Sequence, residues 1–125
     1  MDGVYFGNAA SENIRGWFIG QFIPPELGPR HQTAVELKWG VHPAGETRAQ
    51  SWVRYKKATT ISILIEGSFQ IHLRANGETK DVLLDKQGDY VTMPPGIDHN
   101  WTAITDCVVM SVRFPSLPDD QLNNP

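Results

Sequence analysis

The chain has 125 residues, 40% of them apolar, and a formal net charge of -3, which suits one globular domain with one core and excludes a disordered chain. The charge balance also argues against a nucleic-acid partner, which needs a concentrated basic face; the longest basic cluster, Arg54, Lys56 and Lys57, is too short to supply one. Cys107 is the only cysteine, so no internal disulfide is possible, and beside Val108 and Val109 it reads as a small buried apolar group.

The N-terminus, MDGVYFGNAA, has neither a basic start nor a long apolar run. A cytoplasmic protein with no signal peptide and no contact with a membrane is expected. GWFIGQFI (16–23) is the first predicted strand. Trp17, Phe18, Ile19, Phe22 and Ile23 put large apolar groups on both of its sides, so one side needs a cover. An isologous homodimer, with this strand laid against its mate or exchanged with it, would provide one; the alternative is that the segment folds back over its own sheet. TAVELKWGV (33–41) alternates: Val35, Leu37, Trp39 and Val41 share one face, while Glu36, Lys38 and, if the strand continues, His42 share the other. Glu36 and Lys38 are then either a pair on the wet face of a sheet or a charged pair inside a pocket for a polar or acidic ligand.

TTISILIE (59–66) is apolar on both faces over part of its length, as a central strand is. SFQIHLR (68–74) sets Phe69, Ile71 and Leu73 against Gln70, His72 and Arg74, and the Asn-Gly pair in ANGE predicts a hairpin after it. KDVLLD, DYVTMP, NWTAIT and CVVMSVRFP are further strands. Arg113, between Val112 and Phe114, is a surface residue or a guanidinium fork for a carboxylate or phosphate. SLPDDQL makes at most one turn, and DDQLNNP reads as a loose tail. No segment has sustained helical periodicity. Eight or nine short strands joined by Gly- and Pro-rich turns predict an all-β sandwich or barrel. The expected organisation is an N-terminal segment (1–30) at a dimer interface, a barrel (31–115) and a tail (116–125).

The stretch GDYVTMPPGIDHNW (88–101) carries the most information. Gly88 permits a turn into a strand, Pro94 and Pro95 end that strand because neither donates a ladder hydrogen bond, and Gly96 lets the chain reverse before His99 opens the next strand. The spacing of Gly88, Pro94, Gly96 and His99 resembles the second conserved motif of the cupin superfamily, and LIEGSFQI is similar to the cupin strand that runs through a glycine turn and back. The asparagine that follows in that motif is here Ala103, a departure that leaves the fold intact. The resemblance covers roughly residues 33–114 and implies an RmlC-like jelly-roll β-barrel, a double-stranded β-helix, with a ligand pocket inside, and a dimer as small cupins commonly form.

In cupins the equivalent of His99 points into the barrel and binds a metal. The first cupin motif supplies two further histidines and a glutamate, and in GETRAQSWVRYKKATTISILIEG neither register meets a histidine. The three-histidine, one-glutamate site is therefore not expected. Three readings of His99 stay open. It is one polar group of an organic-ligand pocket without cofactor, walled by Trp101, Tyr90, Thr60, Thr92 and Arg113, with Glu36 and Lys38 as charged contacts. It belongs to an atypical divalent metal site with His42 and Glu36, or with His72. Or it is structural, bonded to a carbonyl at the barrel mouth. The corresponding functions are binding of a small polar or acidic molecule, or a dioxygenase, isomerase or lyase that uses the metal or uses His99 as acid-base. In the metal-free case Tyr90 and Asp98 are the nearest proton partners, and Asp98, as the strand neighbour of His99, points the other way.

Overall fold

The computed structural model describes residues 1–124. Its strands are β1 (Trp17–Ile19), β2 (Glu36–His42), β3 (Trp52–Tyr55), β4 (Thr59–Glu66), β5 (Phe69–Ala75), β6 (Glu78–Leu84), β7 (Tyr90–Met93), β8 (Asp98–Ala103), β9 (Cys107–Phe114) and β10 (Gln121–Asn124). They form two five-stranded sheets, in the orders β1-β2-β9-β4-β7 and β10-β3-β8-β5-β6, and every strand pair is antiparallel. This is an all-β fold, as the strand spacing predicts, arranged as the jelly roll that the resemblance implies. Pro25–Arg30 form a short 3-10 segment, and no helix among the described residues is long and apolar enough to cross a membrane.

Local chemistry places the turns as expected. Asn76 and Gly77 both take positive φ (52° and 80°), the combination of the two-residue hairpin turn that joins β5 to β6. Gly96 takes φ 85° after the two prolines that end β7, and its N–H donates to the Tyr55 carbonyl at 2.9 Å, which ties this turn to β3.

Two expectations fail at the chain ends. The first strand stops at Ile19, because Gly20 to Ile23 turn, with the Ile23 N–H donating to the Gly20 carbonyl at 3.3 Å. β1 is an edge strand on β2, and Ile23 is only 1% exposed. The segment thus packs against its own barrel through β1 and Ile23. At the other end the predicted loose tail is β10, paired with β3. The buried Asp120 carboxylate accepts from the Lys57 and Ala58 N–H groups at 3.0 and 2.9 Å and so pins the chain where β10 begins. Pro125 lies outside the described residues.

The core fills one part of the barrel: Leu64, Phe69, Ile71, Leu84, Met93, Ala103, Cys107 and Val109 are buried together. Each of the larger ones contributes roughly 1.5–3 kcal/mol by leaving water. Gly67, at φ 91°, lies where any Cβ would collide with the Asp106 carbonyl and Cys107, so β4 and β9 meet there only because the residue is glycine.

The sheet containing β2, β9 and β4 has its polarity arranged unusually. Strand register gives the inward rows Glu36–Arg113–Thr60–Met93 and Lys38–Ser111–Ser62–Val91. The outward rows are Leu37–Val112–Ile61–Thr92 and Trp39–Met110–Ile63–Tyr90. Much of the polar chemistry points in, and the aliphatic face points out.

Candidate functional site

A cavity of about 340 Å³ lies between the sheets beside the apolar core. The polar inward rows line it through Lys38, Thr60, Ser62, Ser111 and Arg113. The facing sheet contributes Val53, Tyr55, Ile71, His99 and Trp101, and Trp17, His42 and Arg48 complete the wall. His99, Trp101, Thr60, Arg113 and Lys38, all expected at a pocket, are thus brought together.

Arg113 is buried and held on several sides. Its Nη1 donates to Glu36 Oε2 at 2.7 Å and its Nε to Thr60 Oγ1 at 3.0 Å. Its guanidinium carbon stands 3.8 Å from the centre of the Tyr55 ring and 5.4 Å from that of Trp17. The second oxygen of Glu36 accepts the Ser116 hydroxyl at 2.9 Å. Glu36 and Lys38 are therefore not a wet-face pair: Lys38 lines the cavity, and Glu36 stands behind Arg113 and fixes it. A guanidinium held this way is preorganised for an anion. Burial, followed by the charges of Arg48 and Arg113, lowers the Lys38 pKa against a smaller opposing pull from Glu46.

His99 projects from β8 and stacks on Tyr55 with ring centres 5.8 Å apart. Its Nδ1–H donates to the Ile97 carbonyl at 3.3 Å, since a carbonyl only accepts. Nε2 is then the bare acceptor. Burial is the main cause of its lowered pKa; the Arg113 charge adds to it, and the Ile97 hydrogen bond and Asp98 oppose it. Burial also raises the Tyr55 pKa, so its phenol stays protonated. That phenol donates to Gln121 Oε1 at 2.9 Å.

His42 ends β2 and lines the cavity on the same face as Lys38, where strand continuation places it. Its Nδ1–H donates to Glu46 at 2.6 Å, and its ring centre lies 4.4 Å from that of Trp101 and 5.4 Å from that of Phe69. Gly40 makes room for it, since a Cβ there would stand 2.9 Å from His42 Nε2.

Tyr90 and Thr92 are not at the site. Tyr90 is 67% exposed on the outer face, and both alternate with Val91 and Met93, which point inward. On a strand of four residues, a phase misjudged by one residue moves every side chain to the other face. Asp98 does point away from His99, as expected, and accepts from Arg54 Nε at 2.7 Å and Arg74 Nη2 at 2.8 Å. His72 is also on that outer side, bonded to Asp81 and Thr102.

The atypical ligand set of His99, His42 and Glu36 does not converge. No group of three or more His, Cys, Asp or Glu that could hold an ion exists among the described residues. Glu36 and His42 lie six residues apart on β2, roughly 20 Å at the ordinary rise of a strand, so they cannot join His99 around one ion.

Sequence reasoning missed Ser62, Ser111, Tyr55, Trp17, Arg48 and Asn100, all of which line the cavity. The serines had a signal: Thr60 and Ser62, and Ser111 and Arg113, are polar residues at period two within otherwise apolar strands. Arg48 had none, because it lies on a loop and reaches the wall only through the fold. Asn100 donates to the Ser51 carbonyl at 2.9 Å, while its Oδ1 is buried with no hydrogen-bond partner among the described residues.

No family model and no curated protein matches the chain. Solved structures do. QdtA, a sugar 3,4-ketoisomerase from Thermoanaerobacterium thermosaccharolyticum in complex with TDP, superposes with a TM-score of 0.60 at 20% identity, over 83% of this chain and 72% of that one. KdgF from Halomonas sp. gives 0.55 at 19% identity, over 71% and 74%. Oxalate decarboxylase from Bacillus subtilis gives 0.60 at 16% identity, over 73% of this chain but only 24% of the decarboxylase. These are cupin-fold proteins, and this chain has their jelly-roll fold. At such identities the likeness carries the fold and not the activity.

Proposed function

We propose that this chain is a small member of the cupin superfamily that binds a polar or acidic organic molecule inside its barrel. The observation that carries the reading is the charge of the cavity. Lys38, Arg48 and Arg113 line it, and no aspartate or glutamate does. Glu36 balances Arg113 from behind and Arg48 stays exposed, so the half-buried Lys38 is the cation left among like charges, and an anion on that wall offsets the cost of its burial. Trp17, Tyr55 and Trp101 supply apolar surface for the rest of the molecule. Because two tryptophans line the wall, ligand binding has an optical readout. Titration with small carboxylates and phosphate esters is expected to change tryptophan fluorescence saturably in the wild type and much more weakly in Lys38→Ala. A flat response to every anion would sink the reading.

A second reading, catalysis without a metal, is favoured by the protonation states of His99 and Tyr55. A neutral imidazole with a bare Nε2 is a base, and a protonated phenol stacked on it is an acid, so the pair is equipped to move a proton beside a carbonyl. Tyr55 takes the place of Tyr90 as the proton partner. QdtA, named as a sugar ketoisomerase, is a structural neighbour with a compatible reaction type. Deuterium uptake from solvent into a bound keto acid, lost in His99→Gln while binding persists, is the expected sign of catalysis. Binding with no exchange would leave a binding protein.

The homodimer is part of the same proposal, and a second face beside the N-terminal segment is available for it. Leu37, Trp39, Val112, Met110, Ile61 and Ile63 form an uncharged patch on the outside of the first sheet. A second copy presents the same uncharged face and needs no complementary charge, which suits a two-fold contact.

A further inference from the structure

The barrel cavity has a neighbour. A cleft of about 540 Å³ shares Lys38, His42, Arg48 and Trp101 with it as a common wall and adds Arg15. Across both spaces Arg15, Lys38, Arg48 and Arg113 stand against Glu46 and, behind Arg113, Glu36, an excess of two positive charges. Glu46 is already engaged by His42. The cations are also spread out. Arg113 pairs across from Glu36 at one end of β2, Lys38 is two residues further on, roughly 7 Å, and His42 marks the cleft end six residues from Glu36. Arg48 lies with its guanidinium 5.9 Å from the centre of the Trp101 ring. A compact anion at Arg113 would leave the cleft end uncompensated.

We infer that the two spaces form one site, and that its ligand is an extended small molecule with two acidic groups. One is held by Arg113 and Lys38 inside the barrel, the other by Arg48 and Arg15 in the cleft, and the stretch between them lies against Trp101. The inference rests on the anion-binding reading above and names the ligand class within it. The pKa of Lys38, lowered first by burial and then by the charges of Arg48 and Arg113, agrees with a lysine that shares one wall with two guanidiniums. Carboxylates and phosphates share the chemistry required here.

The test is calorimetric titration of the full chain with matched pairs of probes: hexanoate against adipate, heptanoate against pimelate, and propyl phosphate against 3-phosphopropionate. Each probe with two acidic groups is expected to bind about tenfold tighter than its matched single-acid probe, the free energy of one additional charge-assisted contact. Arg15→Ala, a change at an exposed position that lines the cleft and not the barrel cavity, is expected to erase that advantage while leaving the affinities for the single-acid probes in place. Whichever two-acid probe binds tighter, dicarboxylate or phosphocarboxylate, identifies the second acid. Equal affinity within every pair, or an advantage that survives in Arg15→Ala, overturns the two-acid ligand while anion binding stands. Absence of binding by every probe overturns the anion-binding reading, and this inference with it.

Discussion

Arg113 and Glu36 are a buried ion pair with side-chain exposures of 11% and 7%, and each depends on the other. Removing Glu36 leaves a guanidinium buried against Tyr55 and Trp17 without its counter-charge, so Glu36→Ala is expected to cost about 3–5 kcal/mol in urea unfolding. Replacing both residues with methionine should cost much less, because no unpaired charge remains; a double mutant as unstable as Glu36→Ala would mean that packing, not charge, is responsible. His99 makes a prediction in pH. Its unfolded imidazole titrates near 6.5, and its folded form titrates lower. Between those values the unfolded chain binds more protons than the folded one, so stability falls as pH drops below 6.5 toward the folded pKa. His99→Gln is expected to flatten that part of the profile of melting temperature against pH. An unchanged profile would mean that another group carries it.

The outer face of the first sheet decides how the strands behave as elements. Met110 sits between Trp39 and Ile63, at the middle of the aliphatic patch. If a second copy covers that patch, the wild type runs as a dimer in light scattering, and Met110→Glu runs as a folded monomer with unchanged ligand affinity. A monomeric wild type would exclude this contact. β10 is the other element with a consequence. Asp120→Ala removes the acceptor for two backbone N–H groups at the entry to β10, and should cost about 1–3 kcal/mol and speed amide exchange in β3.

For the whole molecule, the cationic cavity couples ligand binding to stability. An anion that binds the folded barrel and not the unfolded chain stabilises it by about 2.7 kcal/mol at one hundred times its dissociation constant. The melting temperature is therefore expected to rise with saturating dianion. Added sodium chloride should shrink that gain, because Arg48 and Arg15 are exposed and their attraction is screened, while Arg113 is buried and screened less. A gain insensitive to salt would place the ligand on apolar contacts alone.

Much of this protein was legible in local patterns. The turns at Asn76–Gly77 and Pro94–Gly96 rest on backbone dihedrals that few residues tolerate, and the alternation in TAVELKWGV and SFQIHLR reflects the pleat of a single strand. Those patterns were enough for an all-β sandwich or barrel and for the opposed directions of His99 and Asp98 on one strand, while the jelly roll and the inward direction of His99 came from the resemblance of residues 88–99 to the second cupin motif. They could not say which face of β2 looks inward, because an aliphatic face is satisfied equally by a core and by a partner's surface. Only closure of the two sheets turned Glu36 and Lys38 inside and left Leu37 and Trp39 outside. The same closure put Tyr90 on the surface, brought Arg48 from a loop to the cavity wall, and separated Glu36 from His42 beyond the reach of one metal ion. The sequence by itself determined the strands, the turns and the parity within each strand, since these depend on neighbours a few residues apart. The tertiary structure alone decided the site, because its members come from β2, β3, β4, β8, β9 and a loop, and their meeting depends on long-range register that no local pattern encodes.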